Sequence, residues 1–195
     1  MNPVYVIIDP NFCKDPIGLV RKIADNADVI QLRWFGEERK SFLDLAGKMR
    51  EIIEETPFII NSEIDIATAV NADGVHLEKS LDVKKAKKVL GEKIIGVSVS
   101  NPNNARKAEK RGASYIIAGA VYPTRTAKFP PIGIMNLIRI VHSVDIPVYA
   151  AGGINTANIK EIIPTGVDGV AVMSSIYRSS NPEKTIDELR GCFVR

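Results

Sequence analysis

The residues of this chain that could do chemistry stand just behind short apolar runs. In order they are Gln31 and Arg33; Asn61, Ser62 and Glu63; His76, Glu78 and Lys79; Ser98; and then Thr124, Arg125, Thr126 and Lys128. Cations, hydroxyls and amides dominate the set. It contains no Ser/His/Asp arrangement with convincing spacing and no His/Cys cluster of the kind that holds a metal. Such a balance suits the binding of a polyanion better than hydrolysis by an enzyme nucleophile. Gln31 and Arg33 alternate with apolar neighbours, so in a strand both side chains face one way. A buried arginine needs an anion, either a bound ligand or an internal carboxylate such as Glu63 or Glu78. If the anion is a ligand, Arg33→Met should weaken its binding and leave melting little changed. His76 ends an apolar run beside carboxylates, where it is a ligand, an acid/base group or a satisfied packing residue. Trp34 and Phe35 are able to stack on a heteroaromatic ring or to pack against the core. The segment from Thr124 to Lys128 brings two hydroxyls and two cations into a loop flanked by Pro123, Pro130 and Pro131, as a phosphate site or as a cover.

A second candidate lies in Pro147 to Ile176. Two apolar runs there end in Gly152-Gly153 and in Ser174-Ser175. Residues with small side chains let a ligand approach the backbone closely. N–H groups at a strand-to-helix turn lack partners and sit at the positive end of the helix dipole. The functional reading is a phosphate enclosed by Gly152, Gly153 and the N–H groups of Ser174 and Ser175. The alternative is that the glycines only make tight turns.

These residues need a scaffold that gathers strand ends. Tyr5–Ile8, 29–34, 58–61, 74–77, 94–98, 114–122, 147–151 and 169–173 read as strands. Amphipathic segments follow them at 17–27, 39–54, 64–71, 82–90, 103–111 and 132–144, another lies within the stretch after the seventh strand, and a last helix spans 182–192. Asp82 is the expected N-cap of the fourth helix. Apolar positions in 39–54 recur close to a helical period. Eight strands, each followed by a helix, predict an α/β fold of the (β/α)8 TIM-barrel type, with residues 1–195 as one domain. Continuously apolar strands fit a parallel sheet buried on both faces. An open doubly wound sheet is the alternative, but the glycine-rich first turn it often carries is absent.

Composition narrows the classes further. The chain is 45% hydrophobic and 25% charged, with a formal charge of +3, which suits a soluble domain. The scattered Lys and Arg do not suggest a nucleic-acid partner. No apolar run is long enough for a membrane partner. Cys13 and Cys192 form no metal-like pair, so a reducing cytoplasm is the expected compartment. A homodimer is left open as the assembly. Gln31 is the only glutamine, while Lys, Glu and Ile are plentiful, a weak thermophile signal.

In this order, QLRWF (31–35), INSEIDIATAVNADGVHL (60–77), IGVS (95–98), GAVYPTRTAK (119–128), AAGGI (150–154) and GVAVMSS (169–175) resemble the thiamine phosphate synthase/TenI family over nearly the whole chain. The resemblance implies a (β/α)8 barrel and a transferase of thiamine biosynthesis. Such a transferase joins hydroxymethylpyrimidine diphosphate to thiazole phosphate, giving thiamine phosphate and pyrophosphate by way of a pyrimidine cation. It implies substrate contacts at Gln31, Arg33, Asn61, Ser98, Thr124, Thr126, Lys128, Gly153, Met173 and Ser174, with Arg33 and Lys128 in catalytic roles. It also implies magnesium, Mg2+, held by carboxylates that fall here on Ser62 and Leu81, with Glu63 and Asp82 as the nearest substitutes. Further departures are Phe35 in place of a second cation and Ala127, which displaces the expected lysine to Lys128. Losing two charge-assisted contacts would cost about 3–6 kcal/mol, a rate factor of roughly 10² to 10⁴. The implied synthase is therefore weak or altered. The other readings are a non-catalytic or regulatory binder of thiazole or thiamine phosphate, and a TenI-like thiazole phosphate isomerase. Ala120 stands where that isomerase would carry a histidine.

Overall fold

The computed structural model describes residues 3–36, 38–125 and 129–193. The strands are β1 Val4–Ile8, β2 Val29–Leu32, β3 Phe58–Asn61, β4 Gly74–Leu77, β5 Ile94–Val99, β6 Tyr115–Ala118, β7 Val148–Ala151 and β8 Gly169–Val172. Each pairs in parallel with the next, and β8 closes on β1 through Tyr5 opposite Ala171. The helices are α1 Pro16–Ile23, α2 Arg39–Ile52, α3 Ile64–Ala69, α4 Val83–Leu90, α5 Pro102–Lys110, α6 Gly133–Val141, α7 Ile159–Ile162, α8 Ser174–Tyr177 and α9 Pro182–Gly191. The TIM barrel expected from the alternation of runs is thus present. Its strands stop earlier than the apolar runs suggest at β2, β6 and β8.

Several helix starts are written in the sequence. Asp15, Asn101 and Asn181 each accept a backbone N–H from three residues on, at 2.8, 2.9 and 2.9 Å, and each precedes a proline. The side chain satisfies one orphan donor, and proline at the first helical position gives up an N–H that would have no partner. Asp82 stands at the N-cap position of α4 but makes no cap hydrogen bond, because a 3-10 turn over Ser80–Asp82 leads into the helix instead.

The lower rim repeats a single device four times. Asp28, Asp73, Ser114 and Asp168 immediately precede the even-numbered strands. They accept the N–H of Val4, Phe58, Ile95 and Val148 at 2.8, 2.8, 3.0 and 2.8 Å. Each ties an even strand to the start of the odd strand beside it, and satisfies an N–H that lies at the end of the ladder.

Strand residues alternate between two cores. Val4, Val6 and Ile8 join the apolar layer shared with the helices, whereas Tyr5 faces the barrel interior with Ile59, Tyr115, Ile117 and Ala171. The rings of Tyr5, Tyr115 and Tyr149 meet there at centroid distances of 5.5 to 5.8 Å. Glycine makes the room: a Cβ on Gly96 would lie 2.1 Å from the Tyr115 ring. The interior is therefore packed in its middle, and the strand ends above it are left to form the mouth.

Candidate functional site

Four features surround the upper end of the barrel. The first is an ion pair. Asp9, just beyond β1 and 1% exposed, accepts from Arg33 Nε and Nη2 at 3.1 and 3.0 Å. Its other oxygen accepts the N–H of Asn11 at 3.0 Å. The guanidinium also reaches Met173 Sδ at 3.6 Å and lies 5.4 Å from the centroid of Phe35. Tyr177 of α8 completes the corner by donating to the carbonyl of Ile7 at 2.7 Å and accepting from Asp9 N at 2.5 Å. Arg33 thus has an internal carboxylate, and it is neither Glu63 nor Glu78. Asp9 follows its strand directly, as the other polar residues do, and that position was the signal for it.

The second feature is a run of buried polar groups across the barrel. Gln31 Nε2 donates to Asn61 Oδ1 at 2.8 Å, and Asn61 Nδ2 donates to Ser62 Oγ at 3.0 Å. Tyr5 OH donates to Gln31 Oε1 at 2.7 Å and meets Tyr115 OH at 2.9 Å. His76 Nδ1 lies 3.2 Å from Tyr115 OH, and its Nε2 lies 2.9 Å from Ser98 Oγ. His76 is therefore a satisfied interior residue that holds Ser98. Burial, with a smaller contribution from the Arg33 charge, lowers its pKa to about 3, so it is neutral at ordinary pH. Neither tyrosine was singled out from the sequence, since an aromatic in an apolar strand reads as packing.

The third feature is the pair of turns after β7 and β8. Gly152 and Gly153 have φ of +94° and +74°. A Cβ on Gly152 would lie 2.4 Å from that of Ala120, and one on Gly153 would lie 2.7 Å from that of Tyr122. Both glycines are thus required by backbone conformation and by contact with the loop after β6, whatever the turn binds. Met173 and Ser174 lead into α8, whose first N–H groups have no partner within the helix. Ser175 Oγ is buried and has no hydrogen-bond partner among the described residues.

The fourth feature concerns the implied metal positions. Ser62 has φ of +62°, and its hydroxyl is engaged by Asn61. Leu81 is 69% exposed. Glu63 is paired with Arg39 at 2.9 Å, and Arg39 also pairs with Asp65. Asp82 is exposed. Among the described residues no three His, Cys, Asp or Glu side chains are grouped to hold a metal ion. The residues present do not fit the two-carboxylate magnesium site that the family resemblance implies.

Of the remaining expected residues, Thr124 is half-buried in the loop after β6, while Thr126 and Lys128 lie outside the described residues. Trp34 packs edge-on against Phe42 of α2 at 6.4 Å, so it belongs to the core, whereas Phe35 is 51% exposed. His142 follows the last turn of α6, away from the strand ends. No described helix is long and apolar enough to cross a membrane. Both cysteines are free.

The chain is thus a closed parallel (β/α)8 barrel with cations, amides and hydroxyls at its strand ends. Comparison with known proteins makes this specific. The family model described as thiamine monophosphate synthase (TMP-TENI) matches residues 4–176, and the chain belongs to that family. Among its relatives is the thiamine-phosphate synthase of Pyrococcus abyssi (strain GE5 / Orsay), 37% identical over 191 residues, which are 96% of this chain and 92% of that one. Another is the thiamine-phosphate synthase of Methanobrevibacter smithii, 44% identical over 166 residues, or 83% and 79% of the two chains. The solved thiamine phosphate pyrophosphorylase from Pyrococcus furiosus superposes with a TM-score of 0.89 at 36% identity, covering 98% of this chain and 95% of that one. A 3-hexulose-6-phosphate synthase superposes with a TM-score of 0.76 at 18% identity, covering 98% and 100%, and shares the fold. The Pyrococcus relatives are thermophile proteins, in keeping with the composition.

Proposed function

We propose that this chain is a cytoplasmic transferase that joins hydroxymethylpyrimidine diphosphate to thiazole phosphate and releases pyrophosphate, at a reduced rate. The observation that carries this reading is the family match over residues 4–176. In the reaction the bond from the pyrimidine methylene carbon to the diphosphate oxygen breaks, and its electron pair leaves with pyrophosphate. The thiazole nitrogen then gives its lone pair to that carbon. No enzyme nucleophile is required, which agrees with a mouth lined by donors. Arg33, held by Asp9, faces the diphosphate, and Lys128 adds a second cation to the leaving group. Gln31, Asn61 and Ser98 orient the pyrimidine. Thr124 and Thr126 serve the thiazole phosphate, with the backbone of Gly153, Met173 and Ser174 as its clamp. A phosphate oxygen there would also satisfy the buried Ser175 hydroxyl.

The reduced rate follows from Ser62 and Leu81, which supply no carboxylate where the family resemblance implies two. That same observation favours a second reading, a binder of thiazole or thiamine phosphate without turnover. An assay with both substrates, with and without magnesium, and with pyrophosphate release as readout, separates the two. Slow formation of thiamine phosphate is expected. Binding of thiazole phosphate in a thermal-shift titration with no product over many hours would replace the first reading with the second. If millimolar phosphate ligands cause no stabilisation, both fail.

A further inference from the structure

The polar groups crossing the barrel form one unbroken series: Ser98, His76, Tyr115, Tyr5, Gln31, Asn61, Ser62. The five inner members are at most 6% exposed, and the two end serines are half-buried. Each tyrosine hydroxyl has one proton to give, and a neutral imidazole has one N–H. Burial raises the pKa of both tyrosines, so each keeps its proton.

With Gln31 Oε1 turned toward Tyr5 and Asn61 Oδ1 toward Gln31, these counts give the series one direction. Tyr5 spends its only proton on Gln31 Oε1, so in the 2.9 Å contact Tyr115 must be the donor and Tyr5 the acceptor. Tyr115 has then no proton left for His76, and accepts from Nδ1–H across 3.2 Å. With its single proton on Nδ1, His76 offers a lone pair at Nε2, and Ser98 Oγ donates to it across 2.9 Å. On the other side the amides continue the same sense, from Gln31 Nε2 to Asn61 Oδ1 and from Asn61 Nδ2 to Ser62 Oγ. The opposite sense would require both amides to turn over together, and would make Ser98 the acceptor from Nε2–H.

We propose that Tyr5, Tyr115 and His76 are positioning residues that commit the Ser98 hydroxyl proton inward, so that Ser98 presents only lone pairs to the barrel mouth and reads a substrate N–H group. Ser62 is the converse end: it accepts from Asn61 and keeps its own proton to give. A hydroxyl that can only accept is matched to an amino group on a heteroaromatic ring and mismatched to a phosphate oxygen. Which ring reaches it rests on the synthase reading above; the proton order does not.

The test uses the whole chain labelled with 15N-histidine. It has only two histidines, and His142→Asn assigns them. The expected result for the ligand-free protein is a neutral His76 carrying its proton on Nδ1. Tyr5→Phe removes the acceptor for the Tyr115 proton. That proton should turn to His76 Nδ1, moving the imidazole proton to Nε2 without any change at His76 itself. A wild-type Nε2–H tautomer would overturn the proposal, and so would an Nδ1–H tautomer that survives Tyr5→Phe in a folded variant. If Tyr5→Phe does not fold, the wild-type tautomer alone decides, with Ser98→Ala as the check that the Nε2 signal moves when its donor is removed. In the synthase assay Tyr5→Phe should raise the KM for hydroxymethylpyrimidine diphosphate by about two- to tenfold, the worth of one hydrogen bond, with a smaller change in kcat. Absence of turnover in the wild type would sink the synthase reading and leave the tautomer result standing.

Discussion

Replacing Arg33 with methionine should cost the protein stability as well as any diphosphate affinity. The side chain of Asp9 is 2% exposed, and two of the hydrogen bonds to its carboxylate come from Arg33. Without them the carboxylate keeps the N–H of Asn11. Removing one partner of a buried pair typically costs 3–5 kcal/mol because the other charge is left uncompensated, hence about 2–4 kcal/mol here, since the Arg33 side chain is 20% exposed and water can reach its end of the pair. Sequence alone led to the opposite expectation, of little change in melting, because the carboxylate partner was unidentified. Urea unfolding of wild type, Arg33→Met, Asp9→Asn and the double variant measures this directly. The double variant should recover more than half of the loss, since the neutral amide that replaces the Asp9 carboxylate leaves no charge stranded. Diphosphate titration of the same proteins isolates the binding part, about 1.5–3 kcal/mol for a charge-assisted contact. A single Arg33→Met within about 0.5 kcal/mol of wild type, on the scale of ordinary surface substitutions, would refute the reasoning, and with it the idea that Asp9 fixes the guanidinium.

Three further outcomes are expected. Restoring carboxylates by Ser62→Asp with Leu81→Asp should raise synthase turnover in the presence of magnesium: position 62 has a left-handed φ of +62°, which aspartate tolerates, and position 81 is 69% exposed. A folded double variant that still binds thiazole phosphate but gains no rate would count against the account of the lost ligands. Gly152→Ala should lower stability by about 2–4 kcal/mol, from backbone strain plus the clash with Ala120, whereas Gly36→Ala, whose Cβ meets nothing within 4 Å, should cost only about 1 kcal/mol; equal losses in thermal melts would remove the steric argument. Acid should destabilise the fold through His76. Its folded pKa of about 3 is below the ordinary 6.5, so its contribution is full above pH 6.5 and is lost as pH falls toward 3, on the order of 5 kcal/mol at most. His76→Gln should flatten that part of the pH–stability curve, and an unchanged slope would show that other groups carry it.

The barrel was legible because its signals are local and redundant. Eight apolar runs, three Asp/Asn–Pro helix starts and a helical period in α2 each point to the same alternation. The fourfold lower-rim device was also present in the sequence, as ADVI, ADGV, ASYI and VDGV at the starts of the even strands. Without knowing that these strands are neighbours of β1, β3, β5 and β7, nothing marks Asp28, Asp73, Ser114 and Asp168 as equivalent.

The site was legible as a set of strand ends and illegible as a set of bonds. Gln31, Asn61, His76 and Ser98 could each be placed near a strand end by counting along the chain. The groups that join them are Tyr5 and Tyr115, which meet across the closed barrel and lie 110 residues apart in the chain. Asp9 was missed for a related reason: Arg33 has Glu63 and Glu78 behind the next two strands, and only strand order makes β1 its other neighbour. Closure therefore does more than gather functional groups. It lets Tyr5 and Tyr115 meet, and so converts separate polar side chains into one hydrogen-bonded series, whereas the direct pairing of β1 with β2 brings Asp9 within 3.0 Å of Arg33. The phosphate end of the proposed reaction consequently depends on charges fixed by β1 and β2. The ring-binding end depends on a proton order fixed through the middle of the barrel. Substitutions at Asp9 and at Tyr5, both on the first strand unit, should then impair different contacts to the one pyrimidine diphosphate substrate: the diphosphate contact for Asp9 and the ring N–H contact for Tyr5. Titration with inorganic pyrophosphate isolates the phosphate end: it should bind more weakly to Asp9→Asn and unchanged to Tyr5→Phe, and an equal loss in both folded variants would mean that the two ends are not separable in this way.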